Sequence, residues 1–173
     1  MSALRIENLQ PFCSRDDIRY VFRSPFCFED SLGGEWTAAT DGRVFAAVED
    51  TLRWAKPEES IPLQHSDSIR SFLNTIFSLS PFCWEQGEPT PDLPSPKYEV
   101  MEDEGERWTM EVYERIAFLD QVVSSAYLRK IQNCAGPVKW MKGPPCEHLD
   151  GDYGYYVWAG PQIAGILMPL WNA

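Results

Sequence analysis

Cys146 and His148 stand two positions apart, with Cys134 upstream of them, and thiolate together with imidazole is a donor set that zinc accepts. Structural zinc, however, takes four ligands in paired C-x2-4-C or H-x3-5-H spacings, and neither pair occurs in this chain. Asp41 and Arg43 flank a glycine and would suit acid-base work, but no histidine or second carboxylate lies nearby in sequence. An aspartate in a tight turn more simply accepts hydrogen bonds from the turn's own amides, so a structural role is expected for Asp41. Glu99, Glu102, Asp103 and Glu104 supply carboxylates for a divalent ion, yet clustered on one turn they repel one another into solvent. His65 and His148 are the two histidines of the chain, which leaves nucleophile-histidine catalysis poorly supplied. No Gly-rich phosphate loop, dinucleotide fingerprint, G-x-S-x-G elbow or H-E-x-x-H zinc motif occurs. The expectation is a protein without catalysis, cofactor or metal, with a carboxylate-dependent enzyme as the less favoured alternative.

Residues suited to binding are better represented. Arg15, Arg19 and Arg23 recur at i, i+4 and i+8 in RDDIRYVFR, so a helix there carries a basic stripe and leaves Ile18, Val21 and Phe22 for the core. Ser24-Pro25 closes that helix, because the residue before proline is driven away from the α region. The net charge of -11 opposes a simple nucleic-acid binder, but it is unevenly placed. Residues 85 to 114 hold ten acids against Lys97 and Arg107, and without them the chain carries about -3. A local basic face is therefore compatible with the composition.

These residues need a scaffold, and the sequence indicates an α+β one. PFCFED, EWTAAT and RVFAAVE read as three short strands, with Asp41-Gly42 predicting a type I′ turn between the last two. Two prolines mark 51 to 63 as loop, whereas Ile69, Phe72, Leu73 and Ile76 predict a helix over 66 to 79. Five prolines make 81 to 96 an irregular surface excursion, after which KYEVMED and RWTMEVYE flank Glu104-Gly105 as an acidic hairpin. RIAFLDQVV reads as one strand, Ser124 or Ser125 as a helix N-cap, AYLRKIQNC as the helix and Gly136 as its stop. VKWMK, YGYYVWA and AGILMPLW follow as strands. Helix then three strands thus occurs twice, with residues 50 to 114 inserted between.

Length and composition agree with a single domain, residues 1 to 173. A chain of 173 residues that is 44% hydrophobic, with seven Trp, seven Tyr and nine Phe, has ample material for one core. No basic n-region followed by a long apolar run opens the sequence and no apolar run reaches membrane-spanning length, so neither a secretory signal nor a membrane span is expected. The odd, dispersed set of Cys13, Cys27, Cys83, Cys134 and Cys146 suits reduced thiols, so a cytoplasmic, membrane-free setting is expected.

The duplicated order, with ATDGR at 39 to 43, AYLRKI at 126 to 131 and ILMPL at 166 to 170, resembles a domain of the bacterial DNA polymerase sliding clamp. The resemblance covers about residues 11 to 50 and 115 to 173. It implies a DNA-clamp-like domain of two helix-plus-three-strand halves with an inserted helix and hairpin. In that family such domains close a ring around duplex DNA, so a single-domain chain implies a homo-oligomer of about six copies or action without a ring. The resemblance further implies phosphate contacts from the helices, here Arg15, Arg19, Arg23, Arg129 and Lys130, which hold DNA without reading bases. Tyr127, Leu128 and Ile131 of the same helix are expected to face the core. It also implies a groove for short peptide segments of replication proteins at Met168, Pro169, Leu170 and Trp171, the last standing where the family usually has a basic residue. A clamp-like module that contacts only proteins is the alternative.

Overall fold

Strand β1 (Phe26–Glu29), β2 (Glu35–Thr40) and β3 (Val44–Glu49) form an antiparallel meander, as their turn-separated apolar runs predict. The computed structural model describes residues 6–14, 24–29, 35–49, 87–143, 154–160 and 163–170. The helices expected over 15–23 and 66–79 and the loop over 51–63 lie outside the described residues. A second meander is made by β9 (Lys139–Lys142), β10 (Tyr156–Ala159) and β11 (Ala164–Leu167). The two join where β3 pairs antiparallel with β11, Phe45 opposite Ile166 and Ala47 opposite Ala164. The strand order β1-β2-β3-β11-β10-β9 therefore reads alike from either end, last strand against last strand. The protein is an α+β fold built on antiparallel sheets.

The seam admits little side-chain bulk. A Cβ on Gly165 would lie 1.9 Å from the Phe45 carbonyl oxygen and 2.6 Å from Trp158 Cζ2, so the close approach of β3, β11 and β10 requires glycine there. Residues of both parities along β10 and β11 are buried, the pattern of strands covered on two faces rather than one. Beside them Trp158 lies 6.1 Å from Phe12 and 6.4 Å from Trp140, and Phe118 meets Trp140 edge-on at 5.6 Å. Such aromatic pairs add about 1 kcal/mol each beyond the area they bury. Leu9 and Phe12 enter this core from a 3-10 helix, Ile6–Phe12, whose i, i+3 apolar pair is too short a signal to mark a helix in sequence.

Three expectations need correction. RIAFLDQVV is a hairpin, β7 (Arg115–Phe118) and β8 (Gln121–Ser124), because Leu119 adopts a positive φ of 53° and reverses the chain before Asp120. The Asp41-Gly42 turn is not type I′: Gly42 alone there has positive φ, at 90°, and Thr40 pairs with Phe45 across a loop that includes Arg43. The proline-rich stretch is not wholly irregular either. Its Glu88–Pro89 forms β4 on the edge of β9, Trp140 Nε1 donates to Thr90 Oγ1 at 2.9 Å, and Leu93 packs on the core.

The acidic hairpin forms as expected, β5 (Lys97–Asp103) against β6 (Glu106–Val112), with Glu104 and Gly105 both at positive φ. Helix α1 (Ser125–Ala135) also keeps its predicted ends. Ser124 Oγ accepts from the Tyr127 amide, and Gly136 at φ 72° returns its N–H to the Gln132 carbonyl. Leu128 and Ile131 are buried beneath it. The helix start is fixed further because Ser125 exchanges two hydrogen bonds with the Glu114 backbone, at 2.9 and 2.7 Å.

Candidate functional site

The β2–β3 loop is held by its own side chains before anything docks on it. Asp41 Oδ1 accepts from the amides of Arg43 and Val44 at 2.8 and 3.0 Å. Thr40 Oγ1 donates to the Val44 carbonyl at 2.7 Å and accepts from Gly42 N at 3.0 Å. Asp41 is thus the turn-capping aspartate that its position suggests. Its second oxygen does something local sequence does not announce, accepting from the Tyr127 hydroxyl of α1 at 2.5 Å. That bond spans 86 residues, so no spacing rule reveals it. Burial, then Asp41, pushes the Tyr127 phenol well above the ordinary tyrosine range.

Onto this loop the C-terminal segment is tied. After β11 the Met168 amide donates to the Arg43 carbonyl and the Leu170 amide to the Val122 carbonyl of β8, both at 2.8 Å. Pro169 falls between them, at the position where no donor is needed. The segment therefore bridges the β2–β3 loop and the β7–β8 hairpin through alternate amides. Its side chains are not consumed by the core, for Met168, Pro169 and Leu170 are all half-buried. Three of the four residues expected at a peptide groove thus lie together on one fixed strip, and Trp171 falls outside the described residues.

The expected phosphate contacts are distributed differently. Arg15, Arg19 and Arg23 lie outside the described residues. Arg129 Nε meets Glu111 Oε1 of β6 at 2.7 Å, each side chain only 17% exposed, and the same guanidinium donates to the Pro94 carbonyl. It ties helix to hairpin, an engagement competing with any phosphate. Lys130 places its ammonium 5.3 Å above the Tyr127 ring, a cation-π contact on the half-buried side of α1. Elsewhere Lys97 faces Glu114, Arg107 faces Glu102, and Lys142 faces Asp120, at 3.0, 2.9 and 2.5 Å.

No family model matches this chain, nor does any curated protein or solved structure. Its chemistry must be read from its own residues.

The reactive groups of the site are held in their unreactive forms. Cys13, beside Asp41 and Lys130, has its thiol pushed up to about 11 by burial first and the carboxylate second. Burial raises the Cys134 thiol as well, against the pull of Lys130. A protonated thiol and a protonated phenol bonded to a carboxylate make neither a nucleophile nor a base at neutral pH. Cys146, His148 and His65 lie outside the described residues, and among the described residues no three His, Cys, Asp or Glu groups gather as a metal would need. The arrangement offers a half-buried strip, Met168–Leu170, fixed by its backbone to two neighbouring hairpins.

Proposed function

We propose that this chain is a clamp-like, non-catalytic module that captures short apolar segments of partner proteins, as its resemblance to the sliding clamp domain suggests. The observation that carries this reading is the Met168–Leu170 strip, strapped to two hairpins by its backbone, with its residues buried only in part. A strip immobilised in this way gives a partner apolar contact without an ordering cost at the moment of binding. The two mirrored meanders agree with the duplicated halves of a clamp domain. A protein partner is favoured over duplex DNA because Lys97, Arg107, Arg129 and Lys142 each already face a carboxylate, on a chain of net charge -11.

The test is fluorescence anisotropy with labelled hexapeptides rich in Leu and Phe, beside a labelled DNA duplex at roughly 50 and 200 mM salt. Saturable peptide binding that disappears in Leu170→Glu, with near-ultraviolet dichroism retained, is the expected result. DNA binding with a steep salt slope, lost when Arg15, Arg19 and Arg23 become Gln, would instead favour the phosphate-contacting form of the module.

A further inference from the structure

Tyr98, Val100 and Met110, three of the five large hydrophobic residues exposed among the described residues, lie on the β5–β6 hairpin. Tyr98 and Val100 follow one another on one face and are 60% and 70% exposed, while Met110 on the other face is 47% exposed. Single surface apolar groups such as Leu119 need no explanation, but these three share one two-stranded ribbon, an element that is marginal by itself in water. Its root is fixed, since Glu111 is held by Arg129 and Lys97 by Glu114. Its tip carries Glu102, Asp103, Glu104 and Glu106. The two strands are not equally open. Every residue of β5 except Met101 is exposed, whereas Trp108, Glu111 and Val112 of β6 are half-buried. Among the described residues β5 pairs with no strand other than β6, so its outer edge offers a row of backbone donors and acceptors.

Charge decides what suits that edge. Glu102 is engaged by Arg107, but Glu99, Asp103 and Glu104 meet no cation among the described residues. A second copy would bring the same carboxylates against these, and nucleic acid would bring phosphates, so both are disfavoured by like charge. We infer that the outer edge of β5 is a strand-addition site for an extended, basic segment of a partner protein, in which Lys or Arg alternates with apolar residues. Such a segment pairs its backbone with Lys97–Asp103, lays its apolar side chains beside Tyr98 and Val100, and sets its cations against Glu99 and Asp103. The site is remote in sequence from Met168–Leu170 and stands or falls separately from the reading of that strip.

The probe is a fluorescein-labelled decapeptide alternating Lys and Val, titrated into the full chain, with a Glu-Val peptide and an N-methylated Lys-Val peptide as companions. Binding of the Lys-Val peptide is expected, with hydrogen-exchange protection appearing in β5. Glu99→Lys combined with Asp103→Lys should weaken it by roughly tenfold or more and improve the Glu-Val peptide, while Leu170→Glu leaves it unchanged. N-methylation, which removes backbone donors and keeps the charge, should also weaken it roughly tenfold. Equal affinity for the methylated peptide would mean charge attraction alone, and would overturn strand addition. The proposal also fails if the charge reversal has no effect while circular dichroism shows an intact fold. A concentration-dependent dimer abolished by Tyr98→Ser with Val100→Ser would give the edge to a second copy instead.

Discussion

The seven-stranded sheet and the β5–β6 hairpin are both antiparallel and both rich in apolar residues, but they place those residues in opposite settings. Along β10 and β11 every side chain is buried, and Trp158, Tyr156 and Leu167 lie fully inside. Along β5 the pattern inverts, and Tyr98 and Val100 face outward between carboxylates. Apolar strand composition therefore does not by itself say where a strand sits. What separates the two regions is cover: the sheet has α1, the 3-10 helix and the aromatic cluster around Trp140, whereas β5 of the hairpin is exposed along nearly its whole length.

That contrast predicts very unequal responses to substitution. The largest is expected at the seam, where Gly165→Ala drives a Cβ into the Phe45 carbonyl and the Trp158 ring; a loss of about 3 kcal/mol is expected. Chemical denaturation measures it, and a loss below about 1 kcal/mol would show that β3 and β11 are not so closely apposed. Asp41→Ala comes next, at about 2 kcal/mol, because it removes two turn-amide acceptors and the Tyr127 partner together. Asp41→Asn, which keeps the amide acceptor and alters the Tyr127 contact, should recover part of the lost melting temperature.

A smaller and graded effect is expected with alkali. Tyr127, Tyr156 and Cys13 all hold their protons more tightly in the fold than in the unfolded chain, each chiefly through burial. Groups whose folded pKa is raised bind more protons folded than unfolded once pH passes the unfolded values, near 9 to 10, so their contribution is intact below that range and lost above it. Asp120 works at the other end. Its carboxyl is held low by hydrogen bonds from Lys142 and then Tyr156, so what it contributes is present above the ordinary carboxylate range and fades as acid protonates it. Melting temperature should fall on the alkaline side, and Tyr127→Phe should flatten that fall. The smallest effect belongs to the hairpin, where Tyr98→Ser should change stability by about 0.5 kcal/mol or less, since its ring is already largely in water. A marked loss there would erase the distinction between the two regions.

Much of the scaffold is legible from local chemistry. The Ser124 cap and Gly136 stop of α1, the Glu104-Gly105 reversal and six strands of the main sheet each rest on a few neighbouring residues, and each is found. The errors come where tertiary structure overrides a local rule. Leu119 takes a conformation that its side chain disfavours, so RIAFLDQVV looks continuous and is not. Glu88–Pro89 joins the sheet from a segment that its prolines mark as irregular. The candidate site is legible in part: Met168, Pro169 and Leu170 can be named from the sequence, but the Arg43 and Val122 carbonyls that fix them cannot. Nor can the partner of Arg129, because a basic residue on a helix reads the same whether a phosphate or Glu111 lies opposite.

The pairing of β3 with β11 also sets a timetable. Roughly 115 residues separate Glu49 from Ala164, so during synthesis the first meander leaves the ribosome long before its neighbour exists. At about 5 to 20 residues per second, the apolar edge Val44–Glu49 waits several seconds or more with its hydrogen bonds unmet by β11. For that interval the nascent protein presents an open, sticky border that its finished form conceals. A translational pause anywhere between the two meanders lengthens the exposure, and a chaperone that shields strand edges shortens its consequences. Yield in cells should therefore depend on how quickly the C-terminal third is made as well as on how stable the completed sheet is.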